Sequence, residues 1–301
     1  MIMKKLVLHI SAKYIRFLEV NLNNEITFAE QIELADEDIF VGTKKKSSEN
    51  ISGIICNTLN KYNITHKEAS LIIDSSNCFV SVIPVNYNDS KEIIRSGILW
   101  ELSNYYPETY KNFKINYQKL IRENPSEGVK WTLVIAINNK VSEVLKNISV
   151  RSGLKFNLMD IDHFSSEKYF RKLYKEDLAK NNFLLAGLKK NRIDLSIINN
   201  KGSLFYDYIT LIESDFQKPL ENYLSKKSNE IFNVKFDRIF LYGEDFVIGA
   251  YKTINRIIKK ANIILSNPYS DMKISTDFIK TDVDLKNDGF KFTPLCGLAL
   301  N

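Results

Sequence analysis

Residues Leu8 to Val20 (LHISAKYIRFLEV) constrain this chain most, because two apolar extended runs flank a turn only a few residues long. Leu6, Val7, Leu8 and Ile10 form the first run, Ser11 to Tyr14 the turn, and Ile15, Phe17 and Leu18 the apolar positions of the second. A strand, a tight turn and a strand is how a phosphate-cradling hairpin is built. In such a cradle, glycine and serine let backbone N–H groups approach the anion. Here the first strand ends His9-Ile10 and the turn opens on Ser11, with no glycine in it. Ala12, Lys13 and Tyr14 then place side chains where such a cradle needs bare backbone.

Composition places few limits. The chain has 301 residues, 44% of them hydrophobic, which suffices for two domains or one large one. Its net charge of +6 is scattered over short clusters at Lys44–Lys46, Lys189/Lys190/Arg192, Lys226/Lys227 and Lys259/Lys260. Scattered clusters read as solvated faces, with a weak attraction to anionic lipid remaining. No aromatic-basic array points to nucleic acid. Cys56, Cys78 and Cys296 are far apart and odd in number, so they suggest reduced, buried thiols rather than disulfides or a zinc site. No apolar run is long enough to cross a bilayer, and the basic-then-apolar opening MIMKKLVLHI reads as a first strand rather than a signal peptide.

Along the chain, Glu25–Leu34 alternates as a strand, and 35–49 reads as a polar loop ending in a basic knot. A helix over Ile51–Tyr62 follows, capped near Ser48, with Ile51, Ile54, Ile55, Leu59 and Tyr62 on its apolar face. Ser70–Val85 reads as a second hairpin turning at Asp74–Asn77. Asn88–Ser90 can cap a helix from Lys91 to about Tyr106 with Ile93, Ile94, Ile98, Leu99 and Leu102 as its buried stripe, ended by Pro107. Trp100 and Tyr105 on that helix are expected to pack beneath a small sheet. Strands over Phe113–Leu120 and Trp131–Ile137, joined by a turn containing Pro125 and Gly128, complete this unit.

A helix over Val141–Arg151 closed by Gly153, a strand over Phe156–Ile161 and a helix over His163–Leu178 come next. Asp160, Asp162 and His163 could be weighed as metal ligands. Alternate residues at a strand end face opposite ways, so helix capping by Asp162 is the better reading and no metal site is expected. Phe183–Tyr208 reads as a three-stranded meander, Glu213–Ile231 as a helix, Phe236–Leu241 as a strand, Phe246–Ile258 as a helix and Asn262–Leu265 as a strand.

Several of these stretches resemble the PilM family, actin-like proteins of type IV pilus assembly. The opening hairpin resembles that family's first phosphate motif, roughly L-D-I-G-S-S-S-I-K-A-V-E-L, with Leu8, Ile10, Ile15, Arg16 (for Lys), Glu19 and Val20 keeping its frame while His9 stands at the Asp position and Ser11 at the Gly position. Pro84 followed by Trp100-Glu101, Tyr105 and Pro107 resembles the family's W-E-A-E-x-Y-I-P helix after an M-P turn. GLKFNLMDIDHFSSEKYF resembles A-G-L-x-P-x-x-V-D-V-E-P-F-A-L, Asn267-Pro268-Tyr269 resembles N-P-F, and FTPLCGLALN resembles the closing A-x-G-L-A-L-R helix.

The resemblance implies an α/β fold, the actin-like fold of ribonuclease H-like repeats, with an inserted strand-helix-strand-strand subdomain 1C in place of 1B. It places residues 1–78 in the first part of subdomain 1A, 79–138 in 1C, 139–178 in the second part of 1A, 179–289 in domain 2 (2A/2B), and 290–301 in a C-terminal helix returning to 1A. It runs from first strand to last helix, so the chain is expected to be complete.

The same resemblance maps an ATP site onto Ser11, Ala12 and Lys13 in the first loop, Gly187, Lys189 and Arg192 in the second, and Gly243 and Glu244 in the third. All three loops depart from the family. The second is written D-I-G-A-x-x-T there, whereas here Ala186, Gly187, Leu188 and Lys189 stand with Arg192 near the Thr position; the third, T-G-G-G, keeps Gly243 and replaces two glycines by Glu244 and Asp245. The magnesium-orienting Asp and the Thr hydroxyl are both missing. The expectation is a scaffold of a pilus, secretion or competence platform, cytoplasmic and peripheral at the inner membrane, with no cofactor and no catalytic residue. Its partner would be the cytoplasmic N-terminal peptide of a PilN-like membrane protein, in a groove between subdomains 1A and 1C, with self-association possible. Two alternatives stay open. One is an ATP- and magnesium-binding protein in which Lys13, Lys189 and Arg192 supply charge. The other is a GspL-like type II secretion component, whose relatives continue into a transmembrane helix.

Overall fold

β1 (Lys4–Ile10) and β2 (Tyr14–Asn21) pair antiparallel with Ile10 opposite Ile15, which confirms the expected hairpin. The computed structural model describes residues 4–34, 44–122, 128–211, 216–232, 235–244, 247–258 and 262–301. β3 (Ile26–Glu33) adds antiparallel to β2; after α1 (Lys44–Lys61), β4 (Glu68–Ile73) adds parallel to β1. The side-chain period of two then sorts β1: Leu6, Leu8 and Ile10 join one core and Val7 the opposite one. Both faces are therefore buried, which explains why this strand reads as a continuous apolar run.

The chain leaves this sheet through a single 3-10 turn at Ser75–Asn77 and builds β5 (Phe79–Asn86), α2 (Lys91–Tyr105), β6 (Phe113–Lys119) and β7 (Val129–Asn138), a sheet of order β5-β7-β6 with one helix on it. It returns through α3 (Asn139–Ser152) and β8 (Lys155–Ile161), which pairs parallel with β4. α3 ends at Gly153, whose φ of +70° is the left-handed closure its glycine permits. α4 (Asp162–Leu173) and α5 (Lys175–Leu178) lead into the second sheet. There β9 (Phe183–Lys189), β10 (Arg192–Asn199) and β11 (Gly202–Thr210) form the expected meander. α6 (Gln217–Phe232), β12 (Arg238–Gly243), α7 (Val247–Ile257) and β13 (Asn262–Leu265) complete an order of β11-β10-β9-β12-β13.

α8 (Pro268–Asp271) then carries the chain back: β14 (Ile274–Ile279) pairs with β3 of the first sheet, although it falls within 179–289. α9 (Leu285–Asp288) and α10 (Thr293–Ala299) close the chain. α10 lies so close to α4 that a Cβ on Gly297 would stand 1.8 Å from the Ser165 carbonyl oxygen.

Several expectations are corrected. Ser70–Val85 is not a hairpin: β4 already has β1 and β8 on its two edges, so β5 pairs with β7 instead. α1 begins at Lys44, which puts Ser48 inside it rather than at its cap; residues 35–43 of the expected loop lie outside the described residues, as do Pro125, Asp245, Lys259 and Lys260. The helix over His163–Leu178 is two helices broken at Tyr174.

On α2 only Ile94, Ile98 and Leu102 are buried, at i, i+4 and i+8, while Ile93 and Trp100 face outward at 58% and 67% exposure and Tyr105 is exposed as well. Three strands offer too narrow a face to cover the wider stripe, so Trp100 is a surface residue. Tyr105 only leans its ring against Phe79, at 5.2 Å between centroids. Ser90 caps α2, its hydroxyl accepting the Ile93 N–H, as expected from sequence.

Candidate functional site

The Ser11–Tyr14 turn satisfies its own backbone. Ser11 N–H donates to the Tyr14 carbonyl at 2.9 Å, and Ser11 Oγ accepts from Tyr14 N at 2.9 Å and Lys13 N at 3.3 Å. Ala12 N–H is directed to Asp74 Oδ2 at 3.4 Å. Four donors that a phosphate cradle would present are thus engaged within the chain. Lys13 points elsewhere: its Nζ pairs with Glu33 at 3.2 Å on the surface, and a hydrogen bond to Tyr14 followed by that carboxylate raises its pKa.

Behind the turn the ends of both sheets converge on a buried cluster of charge. Asp162, the first residue of α4, accepts the Ser75 N–H at 2.9 Å and pairs with Lys189 Nζ at 2.9 Å, so it does not cap its helix. Lys189 also meets Asp194 and donates to Ser75 Oγ at 2.7 Å, whose hydroxyl donates to Asp194 at 2.7 Å. Arg192 Nε donates to the other Asp194 oxygen at 2.8 Å and its guanidinium stacks 3.6 Å over the Tyr208 ring. Tyr206 OH donates to Asp194 at 2.6 Å while accepting from Arg192 at 2.5 Å. His9, beside this group, shares a 2.8 Å contact with Asp74.

Burial disfavours the ionised Asp162, and the Lys189 ammonium, His9 and the Ser75 N–H more than offset it, so its pKa lies below the ordinary range. Burial lowers the pKa of Lys189 despite its carboxylate partners. His163 is driven well below its usual value by burial and then by Lys189, which leaves a neutral imidazole. Its two nitrogens meet Tyr242 OH at 2.6 Å and Ser196 Oγ at 2.9 Å.

The third loop closes the cleft from above. Gly243 has φ +118°, and a Cβ there would lie 2.1 Å from the Leu188 carbonyl oxygen. Tyr242 lies against Gly187, where a Cβ would stand 2.7 Å from its hydroxyl. Glu244 turns its carboxylate to Arg16 of the first sheet at 3.0 Å, and Arg16 Nε donates to Gln31 at 2.7 Å. The cavity left among His9, Arg16, Asp74, Asp162, Lys189 and Glu244 measures about 10 Å³, on the order of one water.

Of the residues named from sequence, Lys189, Arg192, Gly187, Gly243 and Glu244 converge on this cleft; Ser11 and Ala12 edge it, and Lys13 leaves it. Sequence reasoning missed Asp74, Asp162 and Asp194 as its centre. The signal for Asp74 and Asp194 was present in SLIID and IDLSII, a carboxylate ending or interrupting an apolar strand, and Asp162 follows a strand in LMDID.

A second concavity, about 780 Å³, lies between the small sheet and β11. Phe79, Val80, Tyr105 and Trp131 line one side and Leu204 to Tyr208 the other, with Arg122 at its margin. β5 and β11 are both outer strands of their sheets.

The comparisons agree with this architecture. The sequence model of the family described as type IV pilus assembly protein PilM matches residues 8–211. The fold superposes on a PilM–PilN type IV pilus biogenesis complex with a TM-score of 0.73 at 13% identity, over 98% of this chain and 97% of that one. It also matches a Bacteroides thetaiotaomicron protein of actin-like ATPase fold and unknown function (TM-score 0.53, 16% identity, 91% and 93% coverage). A further match is the ethanolamine utilization protein EutJ of Carboxydothermus hydrogenoformans (TM-score 0.52, 6% identity, 99% and 89% coverage). A search of curated proteins finds no match. The fold is actin-like, with the strand-helix-strand-strand insertion in place, and the chain belongs to the PilM family of type IV pilus assembly proteins.

Proposed function

We propose that this chain acts in a type IV pilus, or a related secretion or competence machine, as an actin-like scaffold that neither binds nor hydrolyses ATP. The observation that carries this reading is that the cleft supplies its own partners. The first-loop N–H groups are engaged, Lys189 and Arg192 are neutralised by Asp162 and Asp194, and only about 10 Å³ remains. A magnesium nucleotide does not fit that donor set, because its phosphates would have to displace buried carboxylates from their cations.

The scaffold would hold the cytoplasmic N-terminal peptide of a PilN-like membrane partner, in line with the solved PilM–PilN complex it resembles. No helix among the described residues is long and apolar enough to cross a membrane, so attachment at the inner membrane would run through that partner. The groove beside the small sheet is walled on its far side by β11 of domain 2 rather than by subdomain 1A as expected, and it has the size and the aromatic side chains (Phe79, Tyr105, Trp131) that an extended peptide uses. Trp131 within it is one of two tryptophans and offers a reporter.

Thermal melts with and without excess Mg-ATP test the reading, since a ligand at a hundredfold its Kd adds about 2.7 kcal/mol. No shift up to millimolar ATP is expected, together with a change in Trp131 fluorescence on adding the partner's N-terminal peptide. A magnesium-dependent rise in melting temperature would overturn it.

A further inference from the structure

β8 ends the first sheet with an open edge. β4 pairs with one side of it, and no described strand pairs with the other. Lys155 N–H points inward, donating to the Lys67 carbonyl at 2.8 Å. Backbone groups alternate along a strand, so those of Phe156 point outward. At the other end Ile161 N–H turns to Asp160 Oδ1 at 2.8 Å instead of to β4, which marks Ile161 and, two residues before it, Met159 as outward. Leu158 and Met159 are 40% and 44% exposed, and neither proline nor lysine guards the run from Phe156 to Asp160. By contrast, β6, an outer strand of the small sheet, carries Lys114 and Lys119, and β13 has only four residues.

This edge matches itself. Along β4, Glu68, Ala69, Ser70, Leu71 and Ile72 pair with Lys155, Phe156, Leu158, Met159 and Asp160, with a bulge that skips Asn157. Alternate residues of β4 share a face, so Phe156 and Met159 lie on one face and Lys155 and Asp160 on the other. Without the bulge, their odd spacings would separate the members of each pair. A second copy laid antiparallel along β8 therefore meets the first in a register where Phe156 opposes Met159 of the other copy and Lys155 opposes Asp160 of the other copy. The first pairing joins outward backbone groups, and the second joins opposite charges. Asp160 already holds Lys168 at 2.9 Å and Lys155 holds Glu68 at 3.2 Å, so the joined group has two cations and two carboxylates.

We propose that two copies of this chain associate through β8, antiparallel about a two-fold axis, in the register that sets Phe156 against Met159 and Lys155 against Asp160. The six-stranded sheet of each copy then continues into the other. A contact centred on one pair of edge strands is small, so a dissociation constant on the order of 100 μM is expected. None of these four residues lines the groove beside the small sheet or the closed cleft, so self-association depends on neither peptide nor nucleotide.

The test is sedimentation velocity of the full chain from about 5 to 500 μM. Expected is a monomer–dimer equilibrium, with amide hydrogen exchange across Phe156 to Met159 slowed at the high end of that range. Lys155→Glu and Asp160→Lys should each weaken association about tenfold, because each sets like charges opposite one another twice in the dimer. Mixed in equal amounts, the two variants should recover it, because opposite charges then face each other again at both places. A monomer throughout, protection elsewhere than Phe156 to Met159, a dimer indifferent to Lys155→Glu, or a mixture no more associated than its parts would each overturn the proposal. Exchange is measured on the parent chain, so it decides even if a variant fails to fold.

Discussion

Lys189, the last residue of β9, places its Nζ 2.9 Å from Oδ2 of Asp162, the first residue of α4. The pair bridges the second sheet and the helix that follows the first, with the same ammonium also held by Asp194. Removing it leaves two buried carboxylates facing one guanidinium. Lys189→Met is therefore expected to lower unfolding free energy by about 3–5 kcal/mol. Lys13→Ala, which removes surface contacts with Glu33 and the Tyr14 side chain and no buried ion pair, should cost less than about 0.5 kcal/mol. Urea denaturation of the two variants checks the contrast, and equal losses would contradict it.

Gly243 tests how tightly the cleft is shut. Its φ of +118° strains any L side chain, and a Cβ would meet the Leu188 carbonyl oxygen at 2.1 Å. Gly243→Ala should cost about 3 kcal/mol or more through strain and steric conflict together. A melting temperature unchanged from that of the parent chain would show that β12 can slide away from β9.

Away from the cleft, Glu19 predicts a pH dependence. Burial would raise its pKa, but hydrogen bonds from His66, Lys4 and Thr27 outweigh that and bring it from 4.5 to about 2. The folded value is depressed, so the stabilisation is present above about pH 4.5 and is lost as pH falls from there toward 2. Its size is of the order of 3 kcal/mol at most. Chemical denaturation from pH 6 to 3 should show a fall that Glu19→Gln flattens; parallel curves would remove Glu19 from the account.

α2 offers the converse test. Trp100 is 67% exposed while Ile98 is buried. Trp100→Ala should change stability by less than about 0.5 kcal/mol and Ile98→Ala by about 2–5 kcal/mol. Paired melts separate the two, and a large loss at Trp100 would mean that its indole is covered.

What was readable in the chain follows from how local each cause is. The β1–β2 hairpin, the β9–β11 meander and the Ser90 cap of α2 depend on side-chain period, turn residues and capping, all set within a few residues. The false hairpin at Asp74–Asn77 shows where this stops. Its turn chemistry was local, but whether β5 could pair with β4 depended on β8, some seventy residues on, having taken that edge. Trp100 was misplaced for a similar reason, since the width of the surface beneath α2 is not written in α2.

The three nucleotide-loop departures were visible at His9, Ser11, Lys189 and Glu244, and so was family membership, because each rests on residue identity at a position in the chain. What fills the cleft was not visible. Ser75 and Asp194 are 119 positions apart, and Arg16 and Glu244 are 228 apart. A charged side chain in a sequence can be a solvated face or half of a buried pair, and only the folded chain decides which, because burial and partner distance are properties of packing. The sequence by itself determined most of the strands, though not β14, and the missing cradle, because period and residue identity are local; the tertiary structure alone decided that Lys189, Arg192 and Glu244 close the cleft with the chain's own charges.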